Sequence, residues 1–138
     1  MDRELIEHVK KSEGFRTAAY QDTEGVWTIG YGTNLQTLEI DAELAEKWLM
    51  LRLEGALRAL RGYSWFPKLN KARQNVVIDM VYNLGMTRFH GFQKFRAALA
   101  EGDFARAKKE MLDSKWAGQV KGRAIWLADV MEGGVWPQ

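Results

Sequence analysis

Two acidic residues and a threonine near the start of the chain have the types and spacing for acid–base chemistry. Glu13 and Asp22 lie nine positions apart, and Thr28 follows six positions after the aspartate. Cleavage of a glycosidic bond needs one carboxylic acid that protonates the leaving oxygen and a second group, usually a carboxylate, that handles the nucleophile. The pattern therefore predicts that Glu13 donates a proton while Asp22 and Thr28 position an attacking water.

The surroundings expected for the two carboxyl groups differ. Glu13 lies in the last turn of a predicted helix, where the negative end of the helix dipole disfavours a second negative charge. That bias is the one a proton donor requires. Asp22 lies in a predicted turn close to backbone amide groups, which favour the charged carboxylate. The two environments thus assign the acid role to Glu13 and the water-handling role to Asp22.

Two local elements must position these residues. A short helix is predicted over residues 3–13, with Asp2 as its N-cap and Gly14 as its stop. After it, a β-hairpin is predicted, with Gly25 supplying the positive φ of its turn. In the returning strand the residues of one face are small, which leaves room for a ligand beside the backbone. These residues are Thr28, Gly30 and Gly32.

The sequence pattern after Ile40 predicts only helices. A long helix over residues 41–60 begins at Asp41, and a strongly apolar helix capped by Asn70 should be the buried centre of the protein. Further helices are predicted over the following stretches: residues 92–100, residues 104–113 with Asp103 as cap, and residues 119–131.

The predicted fold class is α+β, with a small β-hairpin lobe, a larger helical lobe, a long connecting helix and a cleft between the lobes. The hairpin lobe covers about residues 14–40, and the connecting helix covers residues 41–60. The helical lobe takes residues 1–13 and 61–138, so that residues 1–138 form one catalytic domain.

Composition narrows the classes of protein and partner. The 138 residues contain no cysteine and only two histidines, so neither a disulfide framework nor a metal site is expected, and no cofactor is predicted. The net charge of +2, with its basic excess in the C-terminal half, suits anionic polymers in general, which include cell-wall glycans and nucleic acid. Nucleic acid is not expected, because the basic residues show neither aromatic interleaving nor helix-turn-helix spacing.

The N-terminal residues mix charged and apolar side chains and lack the continuous apolar core of a signal peptide or membrane anchor. We therefore expect synthesis in the cytoplasm. If the target lies beyond the membrane, another component must let the protein cross the membrane.

Several segments closely resemble the phage lysozymes, the endolysins of glycoside hydrolase family 24. The catalytic segment of that family is matched by Glu13-Gly14-Phe15-Arg16, Tyr20-Gln21-Asp22-Thr23-Glu24-Gly25 and Trp27-Thr28-Ile29-Gly30-Tyr31-Gly32-Thr33. The likeness continues, in order, through Val81-Tyr82-Asn83-Leu84-Gly85, Gly91-Phe92, Ser114-Lys115-Trp116 and Gly122-Arg123-Ala124. It spans most of the chain.

This resemblance implies a lysozyme-like fold and a muramidase that hydrolyses the β-1,4 bond between N-acetylmuramic acid and N-acetylglucosamine in peptidoglycan, with inversion. It implies that Glu13 is the acid. It also implies that Asp22 and Thr28 position the attacking water on the opposite face of the sugar. It also implies that Arg123 pairs with Glu13. Further residues are implied to line the saccharide cleft: Glu24, Gly32, Tyr82, Asn83 and Lys115.

The resemblance further implies lysis of bacterial cells from within. The protein would be made in the host cytoplasm, pass through a separately encoded pore of the holin type, and act in the periplasm on the cell wall. A monomer is expected, because a cleft enzyme acting on a large polymer needs no partner copy.

The sequence departs from the family pattern in three places. Thr33 stands where some relatives carry a histidine, Phe95 stands where a small hydroxyl residue is common, and the segment over residues 34–41 is shorter than in the longest members. Two other functions also remain open: a lytic transglycosylase that cuts the same bond without water, and a non-catalytic wall-binding or phage structural module.

Overall fold

The first helix begins and ends where the sequence predicts. In the computed structural model, which describes residues 1–138, helix α1 spans Arg3–Glu13. The carboxylate of Asp2 accepts a hydrogen bond of 2.8 Å from the amide of Glu4. Gly14 ends the helix at φ 73°, a value that glycine adopts without strain. These two caps make Glu13 the last residue of α1.

A three-stranded antiparallel sheet follows α1. Its strands are β1 (Arg16–Gln21), β2 (Trp27–Gly30) and β3 (Thr33–Asn34), in the order β1-β2-β3. Thr28 lies in the central strand, opposite Tyr20 on one side and Asn34 on the other. The predicted hairpin is therefore present, and β3 extends it by one short strand.

The prediction that the returning strand continues as far as Gly32 is wrong. Strand β2 ends at Gly30, because Gly30 and Gly32 have φ values of 67° and 75°, in the left-handed region. Such values turn the chain back into β3 instead of extending β2. Gly30 is the last residue of β2, where it pairs with Arg16, and Gly32 lies in the turn, so the predicted strand face ends at Gly30.

Two capped helices form the middle of the chain. Helix α2 spans Ala42–Leu60, and Asp41 Oδ1 accepts a hydrogen bond of 2.9 Å from the amide of Leu44. Helix α3 spans Lys71–Leu84, and Asn70 caps it in the same way. Both starts are where the sequence predicts them.

Five shorter helices complete the chain: α4 (Met86–His90), α5 (Gln93–Glu101), α6 (Phe104–Leu112), α7 (Lys115–Val120) and α8 (Gly122–Gly133). The predicted continuous helix over residues 119–131 is wrong, because Lys121 has φ 50° and ψ −113° and separates α7 from α8. Helix α7 begins at Ser114, whose hydroxyl accepts from the amide of Ala117. Helix α4 was not predicted.

The core lies around α3. Val76, Val77 and Met80 have no exposed surface, and Phe89 and Phe95 from the following helices are equally enclosed. Full burial of such side chains contributes roughly 1.5–3 kcal/mol each. The prediction of α3 as the central buried helix is confirmed.

The structure divides into two compact units, an N-terminal unit, Met1–Ala45, and a C-terminal unit, Glu46–Gln138. The N-terminal unit contains α1, the sheet and the start of α2, and the C-terminal unit contains the remaining helices. The α+β fold class is confirmed, while the lobe boundaries drawn from the sequence stay a prediction. None of the helices combines the length and the apolar character needed to span a bilayer.

Candidate active site

Asp22 lies in the turn between β1 and β2, where backbone amides hold one of its carboxylate oxygens. Oδ1 accepts hydrogen bonds of 2.9 Å from the amide of Glu24 and 2.8 Å from the amide of Val26. Oδ2 has no partner within the N-terminal unit. The carboxylate is therefore fixed in orientation and has one oxygen available to a water molecule or a substrate.

Thr28 is the one buried polar residue of the chain, with 5% of its surface exposed. Its hydroxyl donates a hydrogen bond of 2.9 Å to the carbonyl oxygen of Val26. A threonine hydroxyl has a single proton, so the capacity that remains is that of an acceptor. Thr28 can therefore accept a hydrogen bond from a water, and cannot donate a second one.

The peptide groups of Val26 connect Asp22 to Thr28. The Val26 amide binds the Asp22 carboxylate, and its carbonyl oxygen accepts from both the Asp22 amide, at 2.9 Å, and the Thr28 hydroxyl. Two residues six positions apart are thereby held in one rigid turn. Sequence analysis did not identify Val26, because its contribution comes from its backbone and not from its side chain.

Glu13 lies directly against Gly32. A β-carbon built on Gly32 would lie 2.8 Å from the carboxyl carbon of Glu13 and closer still to its Oε2. The Glu13 side chain is exposed and forms no hydrogen bond or ion pair within the N-terminal unit. Gly32, which was predicted to line a saccharide site, is thus the surface on which the Glu13 carboxyl rests.

The N-terminal unit contains five of the predicted site residues, and the structure joins them in two groups, one at each end of β2. Glu13 contacts Gly32 at the turn that follows β2, and Asp22 is joined to Thr28 through the turn that precedes β2. Glu24 contributes its backbone amide to Asp22, and its side chain is exposed. The chemistry available here is that of an unpaired carboxyl, a fixed carboxylate and a hydroxyl acceptor.

Asn83, at the end of α3, is oriented by a tryptophan from another helix. The indole Nε1 of Trp116 donates a hydrogen bond of 2.9 Å to Asn83 Oδ1. Trp116 is only 2% exposed, so this bond fixes the amide and leaves its NH₂ group to donate outward. Lys115, the residue before Trp116, is exposed at the start of α7.

Arg123, at the start of α8, is paired with Asp79 of α3. Its Nε and one terminal nitrogen donate to Asp79 Oδ1 at 3.0 and 2.7 Å. Sequence analysis did not single out Asp79, because an acid in the middle of an amphipathic helix usually faces solvent. The pairing of Arg123 with Glu13 implied by the family resemblance stays a prediction.

The Asp79–Arg123 pair should contribute modestly to stability. Both side chains are partly exposed, which limits the coupling to about 0.5–1 kcal/mol. A double-mutant cycle with Asp79→Ala, Arg123→Ala and the double variant, followed by urea denaturation, measures that coupling. Additive losses would show that the pair contributes nothing. Glu101→Ala and Arg106→Ala, which remove a solvent-exposed pair, form the control cycle.

Two positions that depart from the family pattern have structural roles here. Phe95 is 1% exposed and packs edge-to-face against Phe89, with the ring centroids 6.1 Å apart. Thr33 is exposed in β3, where it pairs with Ile29. No group of three or more acidic, histidine or cysteine side chains is placed to bind a metal ion.

Comparison with known proteins gives consistent matches over most of the chain. The family model described as phage lysozyme matches residues 10–126. An endolysin of Acyrthosiphon pisum secondary endosymbiont phage 1 is 32% identical, over 90% of this chain and 85% of its own length. A probable T4-type lysozyme of Dictyostelium discoideum is 25% identical, over 91% of this chain and 92% of its own length.

A further match is to one part of a longer protein. The pre-baseplate central spike protein Gp5 of Enterobacteria phage T4 is 25% identical to this chain. The match covers 87% of this chain but only 26% of the spike protein.

Proposed function

The chain belongs to the phage lysozyme family, and on that basis we propose that it is a muramidase acting on peptidoglycan. The bond cleaved is the β-1,4 bond between N-acetylmuramic acid and N-acetylglucosamine, and the configuration at the anomeric carbon is inverted. Membership of the family and the endolysin relative support a glycosidase-type cell-wall hydrolase. The observation that carries the finer proposal is that the peptide groups of Val26 bind both a fixed Asp22 carboxylate and the Thr28 hydroxyl, whose oxygen remains an acceptor.

In the proposed reaction, one water molecule binds Asp22 and Thr28 together. It donates one hydrogen bond to the free oxygen of Asp22 and the other to the hydroxyl oxygen of Thr28. A lone pair of the water then attacks the anomeric carbon while Asp22 takes a proton from it. Glu13 protonates the oxygen that leaves, so the bond breaks without release of an alkoxide.

The hydroxyl of Thr28 supports inversion over a double displacement. Because its proton is engaged by Val26, its oxygen can serve as an acceptor for a water beside Asp22. In an inverting reaction that water is the nucleophile, and the two carboxyl groups are roughly 6.5–9.5 Å apart so that it fits. A carboxylate that attacked the sugar directly would have no use for this acceptor.

On the C-terminal unit, we propose that Tyr82, Asn83, Lys115 and Arg123 contact the saccharide. The free NH₂ group of Asn83 can donate to a carbonyl or hydroxyl oxygen of the polymer, since Trp116 fixes its orientation. Glu24, in the N-terminal unit, is a further contact by family likeness.

Analysis of the products of digested peptidoglycan tests the proposal. Digestion in ¹⁸O-labelled water should place the label on every new muramic end, and the first product seen by NMR should be the α-anomer. A lytic transglycosylase would instead give unlabelled anhydro ends. That outcome would exclude hydrolysis while leaving the bond specificity intact.

The non-catalytic module is the second alternative, and the similarity to a spike protein is the observation that favours it. A protein of that kind would bind peptidoglycan without turnover over a broad pH range. Turnover at any pH in that range excludes it.

Removal of the Thr28 hydroxyl should slow the reaction with little change in the shape of the site. Thr28→Val is nearly isosteric but offers no acceptor, and we expect kcat to fall roughly tenfold to a hundredfold, as for loss of one element of acid–base catalysis. Thr28→Ser keeps the acceptor and should keep more of the activity. The measurement is the rate of clearing of purified cell walls.

Thr17→Val is the matched control, because Thr17 is an exposed threonine in β1 of the same unit. Equal rates for Thr28→Val and the unchanged protein would contradict the role of the hydroxyl.

We further propose that the protein is made in the host cytoplasm, works as a monomer in the periplasm, and depends on a holin-type pore. Cytoplasmic expression should leave cells intact until the membrane is permeabilised, and should then cause rapid lysis measured as loss of turbidity. Lysis without permeabilisation would contradict the need for a pore.

A further inference from the structure

Arg52 of α2 lies over an aromatic ring and has no acidic partner in its unit. Its guanidinium carbon lies 4.7 Å from the centre of the Tyr82 ring. No acidic residue of the C-terminal unit forms a hydrogen bond or ion pair with it. Stacking on a ring restricts the guanidinium while leaving its N–H groups free in the guanidinium plane. The side chain is thus prepared to bind an anion.

A pocket of about 350 Å³ lies beside this arginine. Arg52 and Gly55 form its side on α2, and Tyr82 and Asn83 form its side on α3. None of the lining residues is acidic. We call this cavity the Arg52 pocket.

Two side chains of the Arg52 pocket, Arg52 and Asn83, supply hydrogen-bond donors. Arg52 supplies a positive charge with several N–H groups, and the NH₂ group of Asn83 is left to donate because Trp116 binds its oxygen. A planar carboxylate matches the guanidinium, since its two oxygens can accept from two parallel N–H groups. The side chains of Arg52 and Asn83 therefore fit an anion with at least two acceptor oxygens.

We propose that the Arg52 pocket binds a carboxylate of the peptides that peptidoglycan carries on its muramic acid residues. This inference rests on the proposed function, because it takes the substrate from it. The glycan backbone is cleaved by the residues of the N-terminal unit, and Arg52 recognises the charge on the attached peptide. Arg52 thereby determines preference among walls that differ in the amidation of their peptides.

The test compares two soluble glycan–peptide oligomers that differ only in charge. In both, the amines are acetylated, and in one the peptide carboxylates are converted into methylamides. Dissociation constants are measured in the Glu13→Gln background, which prevents consumption of the oligomer and makes the result independent of turnover. With Arg52 present, we expect the charged oligomer to bind roughly fivefold more tightly, as for one exposed charge pair.

Arg52→Gln should bring the ratio of the two dissociation constants close to one, and Arg52→Lys should keep part of the preference. Arg61→Gln is the control, because it removes an exposed positive charge at the end of α2 outside the pocket lining. It should retain the fivefold ratio.

Two outcomes would overturn the inference. The first is equal affinity for both oligomers with Arg52 present, and the second is a preference that survives Arg52→Gln. If the oligomers bind equally while inorganic phosphate binds in the same background and Arg52→Gln abolishes that binding, the pocket is a phosphate site. Failure of the proposed function is distinguishable, since it appears as absence of wall cleavage by the unchanged protein.

Discussion

Glu13→Gln should reduce the hydrolysis of peptidoglycan roughly 10³-fold, within the range for loss of a general acid. Glutamine has nearly the same shape as the protonated acid but cannot give a proton to the leaving oxygen. The Glu13 side chain is exposed and has no partner in its unit, so the free energy of unfolding should change by no more than about 1 kcal/mol, the value of one exposed ion pair. Cell-wall clearing and urea denaturation measure the two quantities on the same preparation.

Glu7→Gln is the control for this experiment. Glu7 lies on the same helix and forms exposed ion pairs with Arg3 and Lys10, whose loss should affect stability by only a few tenths of a kcal/mol. Its clearing rate should remain that of the unchanged protein. Full activity of Glu13→Gln would remove Glu13 from the mechanism and, with it, the assignment of acid and base roles.

Gly32→Ala should impair both stability and activity. At φ 75° an alanine is strained by about 1–2 kcal/mol. Its β-carbon would also lie 2.8 Å from the carboxyl carbon of Glu13, so the acid must move away. Displacement of a catalytic group by about 1 Å can reduce the rate roughly 10²-fold, and we expect a loss of that order in kcat.

Comparison with Gly30→Ala separates the effect of backbone strain from the effect of the contact with Glu13. Gly30 has a similar φ of 67°, but a β-carbon there would have no atom within 4 Å. The two variants should therefore lose similar stability, while Gly32→Ala loses far more activity. Denaturant midpoints measure the stability of the two variants, and cell-wall clearing rates measure their activity. Equal activity losses in the two variants would show that the Glu13 contact does not control the reaction.

The helix ends were predictable because they depend on groups only a few residues apart. Asp2 and Asn70 accept from amides within three positions, and Gly14 and Gly85 end their helices with φ values of 73° and 81°. The turn of Asp22 is equally local, since its hydrogen bonds reach no further than Val26. The connection of Asp22 to Thr28 through Val26 is local in the same way, because it spans only six positions of the chain.

The break at Lys121 and the end of β2 were not predictable in the same way. A positive φ at a lysine has no signature in residue type, so the sequence predicts one helix over residues 119–131, where the structure has the end of α7 and then α8. Glycines in an alternating segment suit either a bare strand face or a turn, and only the backbone angles distinguish them.

By itself, the sequence determined the fold class, because caps, turns and apolar periodicity act over short distances along the chain, and its motifs resembled the family whose model the chain matches. Only the tertiary structure decided which separate elements contact each other. Gly32 meets Glu13, Trp116 orients Asn83, and Arg123 binds Asp79 across 44 positions. Such contacts depend on how whole helices and strands pack, and no local pattern encodes the partner of a side chain that far away.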